Sequence, residues 1–284
     1  MARKALKYGF VKANELSFRG MIFGDYASGK TTIAASANLT DALGPVIIGD
    51  IDEGTSAVSH WTDLRRVPLH SPGDLEQFLL DMSTPKEHQD EFLKPVKTII
   101  IDSVSALKDE TLVAMTTAQA VKGKREDAFD TQWKDYGRTT NFLLAKFDVL
   151  RAQGYHIILI AGSAVIQQDG LELGIRPDLN AALLKGLNYR MSNIWYAEQS
   201  QGQAKYRLLL EDKPKLGIKT KTRNTLFREA LVRLTEEQAV KRGDDPVKQR
   251  GWYYVPHQDH PTLPNLYQVY LESGAAQEGN ENGE

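Results

Sequence analysis

The sequence predicts an α/β fold: a mostly parallel sheet flanked by helices, with antiparallel strands added at one side. Three observations predict it. Short apolar, β-branched runs recur without a polar face, helical patterns fill the spaces between them, and after Gly162 strand-like runs crowd together. Continuous hydrophobicity marks a strand buried on both faces, and strand followed by helix, repeated, marks a parallel sheet covered on both sides.

Taken in order, Met21-Ile22-Phe23 predicts the first strand, and the Ala-rich stretch from Thr31 to Asn38 a helix behind it. Val46-Ile47-Ile48 is the second strand. The stretch from Pro72 to Met82 sets Leu75, Phe78, Leu79 and Met82 on one helical stripe. Thr98 to Ile101 is a third strand and His156 to Ile160 a fourth, with Leu143, Phe147 and Leu150 repeating at helical spacing between them. Beyond Gly162, Asn193 to Tyr196, Tyr206 to Leu210 and Ile218 to Lys221 read as antiparallel strands extending the sheet. Thr235-Glu236-Glu237-Gln238 has the pattern of a capping box, opening a helix that Gly243 closes. The chain thus divides into an N-terminal arm (1–15), a core (16–225), a helical and irregular extension (226–273) and an acidic tail (274–284). The tail lacks large apolar side chains and is expected to be disordered.

Composition narrows the function. With 284 residues, 41% hydrophobic and 25% charged, the chain is neither fibrous nor wholly disordered. Zero cysteines exclude disulfides, thiolate zinc sites, iron–sulfur clusters and cysteine nucleophiles together. Thirty-five Lys and Arg against 37 Asp and Glu leave a formal charge of −2, so a nucleic acid must be held by a local patch. No run approaches the roughly 18 apolar residues of a spanning helix. The first ten residues carry Arg3, Lys4 and Lys7 without an apolar stretch. A cytoplasmic protein without a membrane partner is expected.

Gly24-Asp25-Tyr26-Ala27-Ser28-Gly29-Lys30-Thr31 satisfies the P-loop pattern G-x-x-x-x-G-K-[ST] at every constrained position. It follows a strand and opens a helix, as the chemistry demands. The glycines let the backbone wrap an anion, and loop N–H groups with the helix N-terminus supply a positive field. The motif points to ATP with Mg²⁺. Lys30 reaches the β- and γ-phosphates, Thr31 sets its hydroxyl on the metal, and Thr32 lies beside the α-phosphate. A second acid is expected at the end of a neighbouring buried strand, and Asp102 after Ile99-Ile100-Ile101 supplies it as a further metal-site residue. Past the second strand stand Asp50, Asp52 and Glu53. Glu53, followed by Gly54, is the candidate base that polarises water, with Asp52 as the runner-up.

These features together resemble the RecA-like recombination ATPases, and within them the phage-encoded, Rad-like group associated with single-strand annealing. The resemblance is carried by the P-loop, by Asp52-Glu53-Gly54 and by Ile100-Ile101-Asp102-Ser103-Val104-Ser105-Ala106-Leu107. Gln132 to Arg138 and Lys219-Thr220-Lys221-Thr222-Arg223 carry it more weakly. It covers roughly residues 16–225 and implies a RecA-like P-loop NTPase core that binds single-stranded DNA, hydrolyses ATP under stimulation by that DNA and assembles as a ring or filament. It also implies a bacterial host cytoplasm and allows a single-strand-binding protein as a further partner. By the same resemblance Lys221 and Arg223 match basic residues that reach nucleotide held by the neighbouring subunit. One departure is visible: where relatives carry a polar sensor after the fourth strand, this chain reads Ala161-Gly162-Ser163, leaving Ser163 or Gln167 for that role.

Strand-binding loops would then fall within Thr116 to Arg138 and Ser163 to Leu179. Lys122, Lys124, Arg125, Trp133, Arg138 and Arg176 are the candidate DNA contacts, combining charge for phosphates with an aromatic face for bases. Lys219, Lys221 and Arg223 alternate, so a strand would align them on one face. His257-Gln258-Asp259-His260, between two prolines, reads as an irregular loop and not as a metal pair. Two other classes share the P-loop: a small-molecule kinase gripping an acceptor phosphate with Arg65 and Arg66, and a nucleotide-dependent assembly factor, such as a helicase loader or packaging component, without a DNA role.

Overall fold

The computed structural model describes residues 17–281 except 60, 62, 124–130, 200–204, 242, 244, 247–250 and 257–261. The N-terminal arm, Lys124, Arg125 and the His257 to His260 segment therefore lie outside the described residues. Among the described residues a nine-stranded sheet organises the chain. The apolar runs form β1 (Arg19–Gly24), β2 (Val46–Asp50), β4 (Thr98–Asp102) and β5 (His156–Ala161), and a short β3 (Arg65–Pro68) lies at one edge. At the other side stand β8 (Asn193–Gln199), β9 (Lys205–Leu209), β10 (Lys221–Thr222) and β11 (Trp252–Pro256). The order is β11-β9-β8-β1-β5-β4-β2-β3, with β10 also on β8.

Six strands, from β3 to β8, run parallel, while β9, β10 and β11 are antiparallel to their neighbours. The fold is the expected α/β class, with one change of detail. Asn193 to Tyr196 is not antiparallel: β8 pairs β1 in parallel, Met21 level with Ile194. The reason is α5 (Ala181–Arg190), whose ten residues suffice to carry the chain back along the sheet before β8 begins.

Alternation along the buried strands gives each sheet face its own core. Met21, Ile99, Ile101, Ile157 and Leu159 pack on one face with α2 (Pro72–Ser83), α4 (Trp133–Ala152) and α5. Ile22, Ile48, Ile100, Ile158 and Ile160 pack on the other with α1 (Lys30–Ala35), α6 (Thr225–Lys241) and α7 (Thr262–Glu281). Asn224 Oδ1 accepts from Phe227 N at 3.2 Å and so caps α6. The expected capping box at Thr235 is corrected accordingly: Thr235 is fully buried mid-helix, its hydroxyl donating to Leu231 O at 2.9 Å. Because Phe227 and Leu231 join the core cluster that holds Trp195, the helix begins at Thr225, ten residues before the Thr-x-x-Gln pattern. Helix α7 runs through Glu281 and takes in most of the stretch whose composition predicted a disordered tail. Ala275, Ala276 and Gln277 there are good helix formers continuing an anchored helix.

The two expected strand-binding loops also differ. Among its described residues the first is mostly helical, since α3 (Val104–Val121) and α4 extend over Thr116 to Val121 and Trp133 to Arg138. Ser105 meets Asp178 O, and Thr140 meets Asn180, so both helices touch the same segment beyond the strand ends. From there Lys122 stands about 25 Å along α3 and Trp133 about 10 Å along α4. The second loop is a hairpin of β6 (Ser163–Gln168) and β7 (Leu171–Pro177). Asp169 and Gly170 turn it with φ of 53° and 78°, the conformation of a tight two-residue hairpin turn.

Candidate functional site

β1 ends at Gly24 and α1 begins at Lys30, so the P-loop is a five-residue turn at the carboxyl end of the sheet. Ala27 and Gly29 take positive φ, 56° and 80°. Two close approaches demand glycine. A Cβ at Gly24 would lie 2.1 Å from Ala197 O on β8, and one at Gly29 would lie 2.7 Å from the Tyr206 ring on β9. The Lys30 ammonium turns into the loop, donating to Gly24 O at 3.0 Å, Asp25 O at 2.6 Å and Ser28 Oγ at 3.4 Å. Burial lowers its pKa, opposed by Asp102.

Asp102 ends β4, and β5 lies between β4 and β1. The Thr31 hydroxyl nevertheless donates to Asp102 Oδ2 at 2.6 Å, joining the first turn of α1 to the buried carboxylate across the gap. Burial pushes the Asp102 carboxyl up to about 6, with Asp52 and Asp50 adding to the shift and the Thr31 hydrogen bond and Lys30 opposing it. A hydroxyl on a carboxylate whose charge is poorly compensated is the donor pair that a divalent cation fits. These are Thr31 and Asp102, the two residues expected to hold Mg²⁺.

Ser103, absent from the sequence-based set, joins this centre in two ways. Its hydroxyl donates to Asp52 Oδ2 at 2.8 Å and accepts from Ala106 N at 3.2 Å, capping α3. Asp50 is engaged elsewhere: it is fully buried, and its Oδ2 accepts from Thr55 Oγ1 at 2.5 Å and Arg66 Nε at 2.6 Å.

A cavity of about 850 Å³ opens over these groups, with Lys30, Thr31, Thr32, Asp52, Asp102 and Tyr206 in its wall. Gly54 lines it but Glu53 does not. Glu53 is exposed in the left-handed conformation, φ 56°, at the start of the 3-10 turn Gly54–Val58. Ser163 Oγ donates to Asp25 Oδ1, so the first residue of the β6–β7 hairpin holds the P-loop. Of the two sensor candidates only Ser163 lines the cavity. Tyr206 carried no recognisable sequence signal, since its place depends on β9 crossing beside the P-loop.

The remaining candidates lie apart from the cavity. Lys221 Nζ donates to Asn188 O and to Met191 O, the latter at 2.7 Å, and Arg223 Nη2 to Tyr189 O at 3.4 Å, so both cations serve the C-terminal end of α5. The strand register sets Thr222 level with Asn193 and Gly20, about 13 Å below Gly24 along β1. Neither cation lines the cavity of its own chain. Trp133 is 92% exposed and Lys122 is exposed, while Arg138 lies 3.9 Å from Asp135. Arg176 lines a different groove, shared with Lys219 and Lys221.

A P-loop at the carboxyl end of a parallel sheet, with a buried acid on a non-adjacent strand, defines a P-loop NTPase fold and site. The family model described as AAA domain matches residues 17–228, three-quarters of the chain, and the chain belongs to that family. No curated protein matches it in sequence. Among solved structures it is similar to the RadB recombinase at 12% identity, covering 70% of this chain and 83% of that one, with a TM-score of 0.40. No helix among the described residues is long and apolar enough to cross a membrane.

Proposed function

We propose that the chain is a Mg²⁺-dependent ATPase of RecA-like type that binds single-stranded DNA and acts in recombination or annealing. One observation carries the nucleotide part: the Thr31 hydroxyl on the Asp102 carboxylate, 2.6 Å apart, beneath a loop whose oxygens gather the Lys30 ammonium. Lys30 and the loop N–H groups hold the phosphates, and Thr31 and Asp102 hold the metal, which when bound draws charge off the phosphoryl oxygens. Of the two acids weighed for polarising water, Asp52 lines the cavity and is fixed by Ser103, so the role goes to Asp52 in preference to Glu53. Lys221 and Arg223 act, in this reading, on nucleotide bound by a neighbouring copy in a ring or filament.

The DNA part draws on Trp133, almost fully exposed at the start of α4, with the exposed Arg138 on the same helix and the exposed Lys122 just past the end of α3. An aromatic face beside cations suits a strand whose bases stack and whose phosphates are charged. The kinase reading loses support because Arg66 is held by Asp50 and Arg65 lies over the Phe92 ring at 5.2 Å. The test is ATP hydrolysis with Mg²⁺, with and without mixed-sequence single-stranded DNA, Lys30→Ala alongside. Hydrolysis that rises with DNA and is lost in the variant supports the proposal. Hydrolysis indifferent to DNA, with no binding at low salt, removes the DNA role, and absence of nucleotide binding removes the whole.

A further inference from the structure

A groove of about 810 Å³ lies between the β6–β7 hairpin, α5 and the loop before β10, a volume in the range of preformed ligand sites. Two backbone devices shape it. Gly174 and Gly217 cross so closely that a Cβ on Gly174 would lie 2.3 Å from Gly217 O, and one on Gly217 would lie 2.2 Å from Leu173 O. At the same place the hairpin register slips, pairing Ile166 with Gly174 but Gln167 with Glu172, so Leu173 is the extra residue of a β-bulge. A bulge re-aims a side chain, and Leu173 lines the groove while 52% exposed. The walls are aliphatic, with Ile175 and Ile218 beside Leu173, and no lining residue is aromatic, so bases find nothing to stack on. The rim is cationic. Arg176 on the hairpin and Lys219 before β10 are exposed and hold no ion pair among the described residues. Lys221 spends its ammonium on Asn188 O and Met191 O, and Asp212, the one acid of the lining, accepts from Thr220 N at 2.6 Å.

We infer that this groove is the docking site for an acidic, aliphatic peptide of a partner protein. Its aliphatic side chains sit among Leu173, Ile175 and Ile218, and its carboxylates meet Arg176 and Lys219. Complementary charge orients the peptide, and burial of apolar surface supplies the affinity. Because Arg176 and Lys219 stand on different elements, carboxylates at two points along one extended segment satisfy both, and a single-headed amphiphile leaves one cation unmet. Residues 1–16, with four cations against one acid, are repelled by the rim, and residues 274–284 have no large apolar side chain to fill the groove, so neither is the occupant. The groove shares no residue with the nucleotide cavity, so the inference stands apart from the nucleotide reading and is tested without nucleotide.

The test selects binders of the full chain from a random decapeptide library displayed on phage. The most enriched peptide is then synthesised with a fluorescent label for anisotropy. Enriched sequences are expected to carry two or more acids with Leu, Ile or Val among them, and their affinity to fall as salt is added. Leu173→Glu charges the groove at a half-exposed position and so buries no charge in the fold, and Arg176→Glu reverses the rim. Each is expected to weaken binding roughly tenfold or more. Lys185→Glu makes the same charge reversal at an exposed position on α5 outside the groove and is expected to leave binding unchanged. Thermal melts check that all three variants fold. Absence of enrichment, enriched peptides without acids, or binding insensitive to both groove variants overturns the inference. Displacement of the peptide by mixed-sequence single-stranded DNA also overturns it, making the groove a strand site. So does a chain that self-associates until the peptide releases it, which makes the occupant a second copy.

Discussion

Replacing Asp102 with Asn is expected to stabilise the ligand-free protein while abolishing its response to Mg²⁺ and nucleotide. Burial pushes the Asp102 carboxyl from its ordinary 3.8 up to about 6. The folded state therefore holds this proton more tightly than the unfolded chain, and stability falls as pH rises between the two values. The full penalty is about 3 kcal/mol at pH 8, and about 1.6 kcal/mol remains at pH 5. Asn keeps an oxygen for the Thr31 hydroxyl and does not titrate. The stability advantage of Asp102→Asn should accordingly widen by about 1.4 kcal/mol between pH 5 and pH 8. Urea denaturation in EDTA at both pH values measures it, with a second series in Mg²⁺ and a non-hydrolysable ATP analogue. In that series the wild type gains stability and the variant does not, because a ligand stabilises only the state that binds it. A variant destabilised by the same amount at both pH values would refute the reasoning, since it would make Asp102 a structural partner of Thr31 and no more.

Other perturbations follow from single contacts. Gly24→Ala sets a methyl 2.1 Å from the Ala197 carbonyl in the adjoining strand, which cannot yield like a side chain; denaturation should register a loss of about 1–3 kcal/mol or more. Trp133→Ala should leave stability within about 0.5 kcal/mol, since the ring is almost wholly in solvent. In fluorescence anisotropy with a labelled oligonucleotide it should lose about 1–3 kcal/mol of single-strand affinity, and an unchanged affinity would take Trp133 out of any DNA interface. Asn224→Ala should cost about 1 kcal/mol as the cap of α6, a figure that thermal melts resolve.

The parts of the molecule readable from sequence are those that local chemistry dictates. Ile99, Ile100 and Ile101 announce a strand buried on both faces, and the spacing of Gly24, Gly29, Lys30 and Thr31 announces the phosphate turn, whatever the rest of the chain does. Asp102 follows from where that strand must end. What escaped reading depends on neighbours distant in the chain. Arg65 to Pro68 alternates in burial at the sheet edge and ends in proline, so β3 exists because β2 offers it a parallel partner. Sequence set Glu53 ahead of Asp52 because Gly54 follows it, whereas the left-handed backbone at Glu53, the Ser103 bond to Asp52 and the wall of the cavity depend on the fold. The β6–β7 hairpin did carry its signal, Asp169-Gly170 between strand-like residues, and the expectation of a strand-binding loop over Ser163 to Leu179 hid it. Thr235 offered a cap pattern, but the core contacts of Phe227 and Leu231 had already begun the helix.

The matched family region stops at residue 228, yet the folded body does not. Tyr253, Leu263 and Leu266 are buried in the same cluster as Ile33 and Ile100, and Leu263 N donates to Ser36 Oγ just past the P-loop helix. Trp252 closes the opposite cluster beside Tyr196, with the Arg207 guanidinium 4.5 Å from its ring centre. A fragment cut at the family boundary would keep every residue proposed to hold nucleotide and bare two apolar surfaces at once. Anyone producing a minimal piece of the P-loop fold should therefore place its end beyond Tyr270, or expect inclusion bodies.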